Sequence, residues 1–421
     1  MKSAFIPPKL EYPIAWMIDV SFPLFAKFGM NLNGIDISDE DRKLLRSLRH
    51  ERMLYMSNHP STIEPPIAYY VANIMGTRFH YLAARNVFNW MFGLLGELIS
   101  KLGAFSVLTG TTDRETLKTS RAILAAPGGK LVIYPEGMCS MENDNLAPFM
   151  PGIAQIGFWG LEDARKIDPA ADIIVLPAFV KYTLAGSRSS LRQEIESSLR
   201  RLEDKLGIEP GNRNLLRQFL AVGRVLLENA EKEYGINASD KDDYDYRVGH
   251  VRHAALNRAA KRLRVKLDSG SDSFHKIREV FKVKDAIESG VEDPKRPKIP
   301  SEDLIMGTRD LDTAYTFIVI KPEYIVSRPT PERFMEWIYR FETHVFGSTS
   351  FRARRAKVIF SEPFRIGDYY GAYQKDKKAT VDEVTNRLRK DIESLLKKCI
   401  PLSEPLVTPY DVGDGLKFKP K

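Results

Sequence analysis

The chain is 421 residues long, 43% of them hydrophobic and 28% charged, with 63 Lys and Arg against 55 Asp and Glu. This length and composition predict a globular protein with a sizeable core and two or three domains, and they exclude a disordered or low-complexity chain. The net charge of +8 makes anionic lipid headgroups and nucleic acid candidate partners, but no zinc-type spacing or RNA-binding motif occurs, so we expect no nucleic-acid partner.

Cysteine usage and hydropathy bear on the compartment. Only Cys139 and Cys399 are present, without a pairing pattern, which favours a reducing environment. No signal peptide begins the sequence, and no run of about 18 uncharged apolar residues occurs. We therefore expect a cytoplasmic protein without a spanning helix, peripheral to the inner face of a membrane.

Residues 12–31 come closest to a membrane segment. Charged residues and a proline interrupt their apolar side chains, which suits a pair of amphipathic helices. Two interpretations stay open: the helices lie on a bilayer, or they pack on the main domain. The apolar residues are Trp16, Met17, Phe22, Leu24 and Phe25.

Strands and helices then alternate along the first half of the chain. After a charged connector at 36–52, strands are predicted at 53–56, 79–84, 103–107, 130–134 and 173–179. Helices are predicted at 61–75, 88–102, 113–126 and 151–166, the first with Ser61 or Thr62 near its N-cap. Alternation at this spacing is typical of an α/β layered domain.

The composition changes at about residue 187. Charged, Leu-rich helical patterns cover 191–206, 215–234, 250–265 and 274–287, followed by a breaker-rich linker at 293–300 and a predicted strand at 316–320. A helix starting at Pro331 carries Phe334, Trp337, Ile338 and Phe341 on one face, more typical of a core than of a lipid platform.

The α/β pattern returns with a strand at 356–360 and a helix at 381–398. The predicted fold is α/β: a layered, mostly parallel or mixed sheet flanked by helices, with a large helical insertion. The predicted divisions are 1–50 (amphipathic helices and connector), 51–186 (α/β core), 187–350 (mainly helical insertion) and 351–421 (returning strand, final helix and tail).

His59 is the first candidate catalytic residue. It follows the strand at 53–56, at the carboxyl edge where open α/β sheets bind their ligands. Glu64 lies five positions further on, within reach of the imidazole. A carboxylate on one ring nitrogen fixes the tautomer and raises the basicity of the other, which suits His59 to accept a proton from a hydroxyl. The alternative is a histidine that caps a surface helix.

Four segments follow one another in a characteristic order: 58–64, 103–106, 134–137 and 175–178, reading NHPSTIE, GAFS, YPEG and VLPA. This order and spacing resemble the glycerolipid acyltransferase superfamily, which contains lysophosphatidate and glycerol-3-phosphate acyltransferases. The resemblance covers about residues 50–182 and the returning elements at 356–398, and YPEG after a buried strand is its most specific part.

The resemblance implies an acyl transfer. His59 would be the general base on an acceptor hydroxyl that attacks the thioester of acyl-CoA or acyl-acyl carrier protein, with Glu64 orienting the ring. Backbone amides near Gly137 or residues 61–62 could stabilise the oxyanion. It also implies substrate-binding residues, with no metal and no cofactor beyond the acyl co-substrate: Glu136, Gly137, Tyr134, Pro135, Gly103, Phe105, Arg114 and Pro177.

Glu136 carries over the family's contact with the acceptor, and its alternative is a carboxylate that caps a turn. Three departures affect the acceptor. Glu64 replaces the usual Asp, Thr109 stands near a usual Arg, and Met138-Cys139 replaces Thr-Arg. Loss of two guanidinium groups argues against tight binding of a phosphate monoester. Substitute cations would be Lys101, Arg114 or Lys181.

Two weaker patterns complete the candidates. His250 and His253 are three positions apart on a basic helix, but a metal would need a further ligand, so a solvated face or a headgroup-binding face is expected instead. Cys139 is either reactive or simply a small buried side chain.

The predicted function is therefore an O-acyltransferase that moves a fatty acyl group to a glycerolipid or lysophospholipid hydroxyl at a membrane surface. Two alternatives remain: a non-glycerol lipid acceptor, and a catalytically idle lipid-binding protein on the same fold.

Overall fold

A computed structural model describes residues 5–107, 114–209, 211–237, 243–290, 298–319 and 321–413. Within these ranges eight strands form one sheet: β1 (Leu32–Asp36), β2 (Met53–Ser57), β3 (His80–Ala84), β4 (Ala104–Val107), β5 (Lys130–Ile133), β6 (Ile174–Leu184), β7 (Arg354–Phe360) and β8 (Phe364–Arg365).

The strand order is β1-β7-β6-β2-β5-β3-β4, with β8 also paired to β6. Strands β2 to β6 run parallel to one another, whereas β7 and β8 are antiparallel to β6. The sheet is therefore mixed and mostly parallel, as predicted. In register, Met56 of β2 lies between Ile133 of β5 and Pro177 of β6, so β2 and β5 end at the same edge of the sheet, while β6 continues beyond them to Leu184.

Fifteen helices cover and extend the sheet within the described ranges. They are α1 (Tyr12–Gly29), α2 (Asp39–Ser47), α3 (Glu64–Met75), α4 (Leu94–Lys101), α5 (Arg114–Ala125), α6 (Gln155–Ile167), α7 (Arg188–Leu206), α8 (Leu215–Tyr234), α9 (Tyr244–Arg262), α10 (Ser273–Glu288), α11 (Ser301–Val319), α12 (Pro322–Val326), α13 (Pro331–Phe346), α14 (Tyr370–Lys375) and α15 (Lys377–Cys399). Short 3-10 segments lie at Arg85–Gly93, Ile366–Tyr369 and Ile400–Leu402.

Strand β2 shows why the sheet is buried on both faces. Met53 and Tyr55 point into one apolar cluster, shared with α1 and α3, while Leu54 and Met56 point into another, shared with α6 and α15. Because side chains alternate along a strand, a continuous apolar run fills both layers. Strand β2 is therefore packed between these two apolar clusters.

In the described ranges, the helices after β6 build two large apolar clusters and a small one between α8 and α9. One large cluster joins α7, α8 and α13 and includes the buried side chains of Phe334, Trp337 and Phe341. The other large cluster joins α9, α10 and α11. Since β7 then returns to the sheet beside β6, the helical part is inserted between two strands, as predicted. The exact domain boundaries stay predictions.

Several local predictions were wrong. Residues 316–319 end helix α11 and do not form a strand, because a short apolar run does not distinguish a helix end from a strand; Ile320 lies outside the described residues. The segment at 12–31 contains one helix, α1, which ends at Gly29 before β1, and not a pair of helices. The charged connector contains α2, whose N-cap Ser38 accepts the Asp41 N–H at 3.1 Å.

Parts of other predictions lie outside the described residues: most of the linker at 293–300, Asp113 at the start of the predicted helix, and Thr109. No helix in the described ranges is both long enough and apolar enough to cross a bilayer.

Candidate active site

Two asparagines continue the sheet beyond the end of β2. The Asn58 side chain accepts the Val180 N–H at 2.7 Å and donates to the Val180 carbonyl at 3.0 Å. The Asn143 side chain repeats this pattern at Tyr182, at 2.8 and 2.7 Å. Each side-chain amide therefore forms the two hydrogen bonds that a neighbouring strand would form with β6. The bonds of Asn58 to Val180 fix the backbone where it enters His59.

The predicted pair of His59 and Glu64 is in contact. Imidazole Nδ1 lies 2.7 Å from Glu64 Oε2, and the Glu64 side chain is only 1% exposed. The carboxylate also accepts the Ser61 N–H at 3.0 Å and the Tyr182 hydroxyl. Three partners thus hold the acid, and a proton on Nδ1 leaves Nε2 as the basic nitrogen.

Helix α3 begins at Glu64 itself, later than predicted. Its N-cap is Ile63, which provides no side-chain hydrogen bond, so neither Ser61 nor Thr62 caps it. The turn at Ser61 is instead closed by the Glu64 carboxylate. A Glu at the first helical position reaches back to both the turn and the imidazole, which accommodates the methylene that distinguishes it from Asp.

Tyr134 and Cys139 flank the imidazole. The Tyr134 ring stacks on His59 with centroids 4.3 Å apart and planes 20° from parallel. Cys139 Sγ lies 3.4 Å from Nε2 and 3.2 Å from the Ser61 carbonyl. The His59 side chain is 17% exposed, and its basic nitrogen faces the thiol.

The charge on His59 follows from these neighbours. Burial alone would lower its pKa, but the Cys139 sulfur and the Glu64 carboxylate outweigh burial and raise the pKa well above the ordinary value. A raised pKa makes the imidazole a stronger base, which suits Nε2 to accept a proton from a neighbouring hydroxyl or thiol.

Glu136 is fully buried and points back into the protein. Its two carboxylate oxygens accept the His59 and Ala147 N–H groups, each at 2.7 Å. Desolvation raises the pKa of Glu136 to about 7, although these two bonds oppose it. This geometry favours the turn-capping alternative: the carboxylate fixes the His59 backbone and the following loop. Contact with an acceptor stays a prediction.

Gly137 and Pro135 shape the same turn. Gly137 has φ of +69°, and a Cβ there would collide with Met150 Sδ, so glycine is required for two reasons. The Pro135 carbonyl accepts the Met150 N–H at 2.7 Å. The motif therefore holds the loop at 138–150 against the strand end that carries His59.

The remaining predicted residues are separate from the imidazole. Gly103 lies at the amino end of β4, where its φ of +95° and the close Phe79 carbonyl require glycine. Phe105 is buried in the core. Arg114 is exposed at the start of α5, whose Thr116 hydroxyl donates to the Ser106 carbonyl of β4 at 2.9 Å; β4 lies three strands or about 14 Å from β2.

Pro177 lies in β6 opposite Met56, and its carbonyl accepts the Ser361 N–H at 2.9 Å, between the stretches paired with β7 and β8. The structure therefore gives Gly103, Phe105 and Pro177 packing or backbone roles, and a substrate contact of any of them is still a prediction.

Lys181 and Lys101, two of the cations suggested as replacements for the missing arginines, do not lie at the site. Lys181 is fully buried and paired with Asp144, and Lys101 lies near Glu97 and Glu11 at the amino edge of β4. Neither faces the site. The sequence reasoning missed Arg354 of β7, whose guanidinium donates to Ser61 Oγ at 3.1 Å and lies 4.5 Å from the Tyr182 ring centroid.

The inserted helices close over the site loop. Arg278 of α10 donates to the Glu136 and Pro148 carbonyls at 2.7 and 2.8 Å. Glu336 of α13 accepts the Asn143 N–H at 3.1 Å. Met138, next to Cys139, packs into the cluster of α9, α10 and α11. The insertion thus forms one wall of the site, which local patterns could not predict.

The amides suggested for an oxyanion are partly occupied. The Gly137 N–H donates to the Tyr134 carbonyl at 3.0 Å, and the Ser61 N–H to Glu64. Among the described residues, no acceptor lies on the N–H groups of Met138 and Cys139. Within these residues the two amides next to the thiol in sequence are therefore available as donors to an oxyanion, unlike those of Gly137 and Ser61.

The basic helix with His250 and His253 is α9, and much of its charge is neutralised internally. Arg247 pairs with Glu231 at 2.7 Å, and Arg258 pairs with Asp310 at 2.6 Å. These two guanidinium groups are therefore paired within the protein, and the interpretation of the helix as a solvated or headgroup-binding face stays a prediction. The described part of the chain contains no group of three or more metal-ligating side chains.

A cavity of about 1500 Å³ opens at the opposite edge of the sheet, next to His50, Lys130 and Arg78. Those residues precede or begin their strands, whereas ligands of open α/β sheets bind at the carboxyl edge. The edge that carries His59 is therefore the better candidate for chemistry.

A carboxylate-oriented histidine at the carboxyl edge of a layered α/β sheet defines a domain suited to activating a hydroxyl or thiol for group transfer. The sequence model of the acyltransferase family matches residues 38–180, about a third of the chain. Residues 38–180 therefore form a domain of the glycerolipid acyltransferase family, which supports a general acyltransferase function. No curated protein matches the chain.

Proposed function

We propose that the protein is an O-acyltransferase that moves a fatty acyl group from acyl-CoA or acyl-acyl carrier protein to the hydroxyl of a lipid, with His59 as the general base. The observation that carries the proposal is the 2.7 Å contact between His59 Nδ1 and Glu64, at the carboxyl edge of the domain that matches the family.

Proton transfer follows from the geometry of the pair. Nε2 takes the proton of the attacking group, and the resulting imidazolium is stabilised by Glu64. The tetrahedral oxyanion then collapses and expels the thiolate of the donor, which recovers the proton. Tyr182 and Ser61 hold Glu64 in place during both steps.

The acceptor is a lipid alcohol whose anionic group would meet Arg354 in this proposal. Arg354 lies beside Ser61, has no carboxylate partner among the described residues and is partly exposed. Arg354→Ala should raise KM for phosphate-bearing lysolipids more than for neutral monoacylglycerol. An equal effect on both acceptors would remove Arg354 from headgroup recognition.

Helix α1 supports a membrane location. Ala15, Phe22 and Ala26 pack inward, while an apolar stripe on the other faces is exposed. Such a stripe suits burial at a lipid interface. The exposed residues are Tyr12, Trp16, Met17, Val20, Leu24, Phe25 and Phe28.

Vesicle sedimentation tests this surface. Trp16→Ser combined with Phe28→Ser should weaken binding to anionic phospholipid vesicles, because each change removes an exposed apolar anchor. Ile305→Ser, at an exposed apolar position on α11, is the matched control and should bind as the wild type does. If both variants sediment like the wild type, α1 is not the membrane surface.

The decisive experiment compares His59→Ala with His250→Ala, a substitution of an exposed histidine on α9. Release of the donor thiol is followed with acyl-CoA and a panel of lysolipids and other lipid alcohols. Turnover should disappear in the first variant and persist in the second. Equal turnover of the wild type and His59→Ala would refute the proposal.

A catalytically idle lipid-binding protein is the second candidate. The observation that favours it is the thiol beside Nε2, because the sulfur stands where an acceptor hydroxyl would have to approach the base. The two candidates differ in one result. An idle protein binds vesicles but releases no thiol with any acceptor, whether residue 64 is Glu or Asp.

A further inference from the structure

The thiol of Cys139 occupies a position that the general-base mechanism leaves unexplained. It stands on the side of the imidazole where an acceptor hydroxyl would have to approach, 3.4 Å from Nε2. In the family pattern, this position carries an arginine. Cys139 therefore places a nucleophilic sulfur where the family pattern has a guanidinium group that binds phosphate.

We propose that Cys139 is a catalytic nucleophile that receives the acyl group from the thioester donor and holds it as an S-acyl enzyme before transfer to the acceptor. This inference rests on the proposed acyltransferase function and specifies its chemical route.

Three side chains form the required relay. Sγ of Cys139 lies next to Nε2, and Nδ1 lies 2.7 Å from the Glu64 carboxylate. A nucleophile, a base and a group that orients the base are the elements by which an activated thiol is recognised. The backbone fixes this relationship, because the Ser140 N–H donates to the His59 carbonyl at 2.7 Å.

The surroundings agree with a reacting sulfur. Cys139 is partly exposed, whereas Cys399 is buried at the end of α15, where burial raises the pKa of its thiol to about 11. The amides of Met138 and Cys139 have no acceptor among the described residues. Because they belong to the nucleophile and to the residue before it, they are the candidate donors to the oxyanion that forms when the sulfur attacks.

The chemistry balances in two exchanges. In the first, His59 takes the thiol proton, Sγ bonds to the acyl carbon, the bond to the donor sulfur breaks, and the proton passes to the departing thiolate. In the second, His59 takes the proton of the acceptor hydroxyl, whose oxygen bonds to the same carbon. The bond to Sγ then breaks and the Cys139 thiolate recovers the proton.

The test traps the intermediate. Wild-type protein is mixed with palmitoyl-CoA, or with palmitoyl-acyl carrier protein, without an acceptor, quenched in acid at short times, and examined by intact mass and peptide mapping. We expect one palmitoyl group on Cys139 that neutral hydroxylamine removes, as it does for thioesters. Cys399→Ala should form the adduct like the wild type.

Variants at the site separate a nucleophile from a packing residue. Cys139→Ala and Cys139→Ser should form no thioester and should each lose turnover by about 100-fold or more, with unchanged circular dichroism. His59→Ala should slow adduct formation, because the thiol then has no base.

Two results would overturn the inference: no wild-type adduct with either donor, or a Cys139→Ala variant that turns over like the wild type. The outcome for the proposed function is distinguishable. Transfer to a lipid without an adduct removes only the nucleophile, whereas an adduct without transfer to any alcohol leaves the nucleophile and refutes the proposed acceptor class.

Discussion

Two buried glutamates next to the site are expected to make the stability of the protein fall as pH rises. Glu136 and Glu142 are both fully buried, and desolvation raises the pKa of each from 4.5 to about 7. They differ in their partners. Both oxygens of Glu136 accept backbone N–H groups, whereas Glu142 Oε1 has no hydrogen-bond partner within the described residues. Substituting each glutamate by Gln removes a buried charge in both cases, but only at residue 136 does it also remove a hydrogen bond from a backbone N–H group.

The sign of the effect follows from proton linkage. A folded-state pKa above the unfolded value means that the native protein binds the proton more tightly than the unfolded chain does. The contribution of each glutamate to the free energy of unfolding is therefore greatest below pH 4.5 and is lost as pH rises towards 7. A shift of about 2.5 pKa units corresponds to about 3 kcal/mol at alkaline pH. Glu142→Gln removes this loss, so it should raise the free energy of unfolding by up to about 3 kcal/mol at pH 9 and leave it unchanged near pH 4.

Glu136→Gln should gain much less. The amide has one acceptor oxygen where the carboxylate has two, so either the His59 or the Ala147 N–H faces an amide donor. Losing a hydrogen bond to a charged group costs about 1.5–3 kcal/mol, which offsets most of the gain from removing the charge. This variant should also lose activity, since the His59 backbone is no longer fixed.

Urea unfolding followed by tryptophan fluorescence at pH 4, 7 and 9 measures both variants against the wild type. The expected pattern is a gain that grows with pH for Glu142→Gln and stays small for Glu136→Gln. Equal curves for the two variants would refute the role of the Glu136 hydrogen bonds. A pH-independent difference for Glu142→Gln would refute the buried charge.

Three further substitutions test the site. Tyr182→Phe removes a hydroxyl from Glu64 and should lower kcat by about 10-fold or more; Tyr81→Phe, whose buried hydroxyl has no partner in the described ranges, is the control and should keep its kcat. Gly137→Ala should abolish activity, because φ is +69° and Met150 blocks a Cβ. Gly152→Ala, with φ of +71° and open space, should cost only about 1 kcal/mol of stability, measured by urea unfolding. Arg278→Leu leaves the Glu136 and Pro148 carbonyls without their donor. Thermal unfolding should therefore show a free energy of unfolding lower by about 2–4 kcal/mol, together with reduced turnover. Wild-type values of both quantities would refute the bridging role of Arg278.

The parts of the fold that could be predicted are those encoded in short stretches of sequence. Apolar runs such as 53–56 and 173–179 are buried on both faces, so composition alone indicates central strands. The contact between His59 and Glu64 was also predictable, since five residues across a strand-to-helix turn cannot separate the two side chains far.

Contacts between distant segments could not be predicted in this way. Cys139 was identified as an unusual residue at a motif position, but nothing local indicates that its sulfur reaches Nε2 of a histidine 80 residues earlier. The apolar run at 316–319 has the composition of a strand, and only its continuity with a packed helix from Ser301 decides its structure. Arg354 was missed because it follows the whole insertion.

The position of Glu136 changes where specificity should be sought. Its two carboxylate oxygens accept the N–H groups of His59 and Ala147, so in this structure the YPEG segment organises the backbone of the site and of the loop at 138–150. We therefore propose that an acceptor is selected by Arg354 and by the wall of inserted helices that Arg278 and Met138 connect to the loop. Since that wall belongs to the inserted helices, acceptor preference should follow the insertion, while the step at the imidazole depends on the residues around β2.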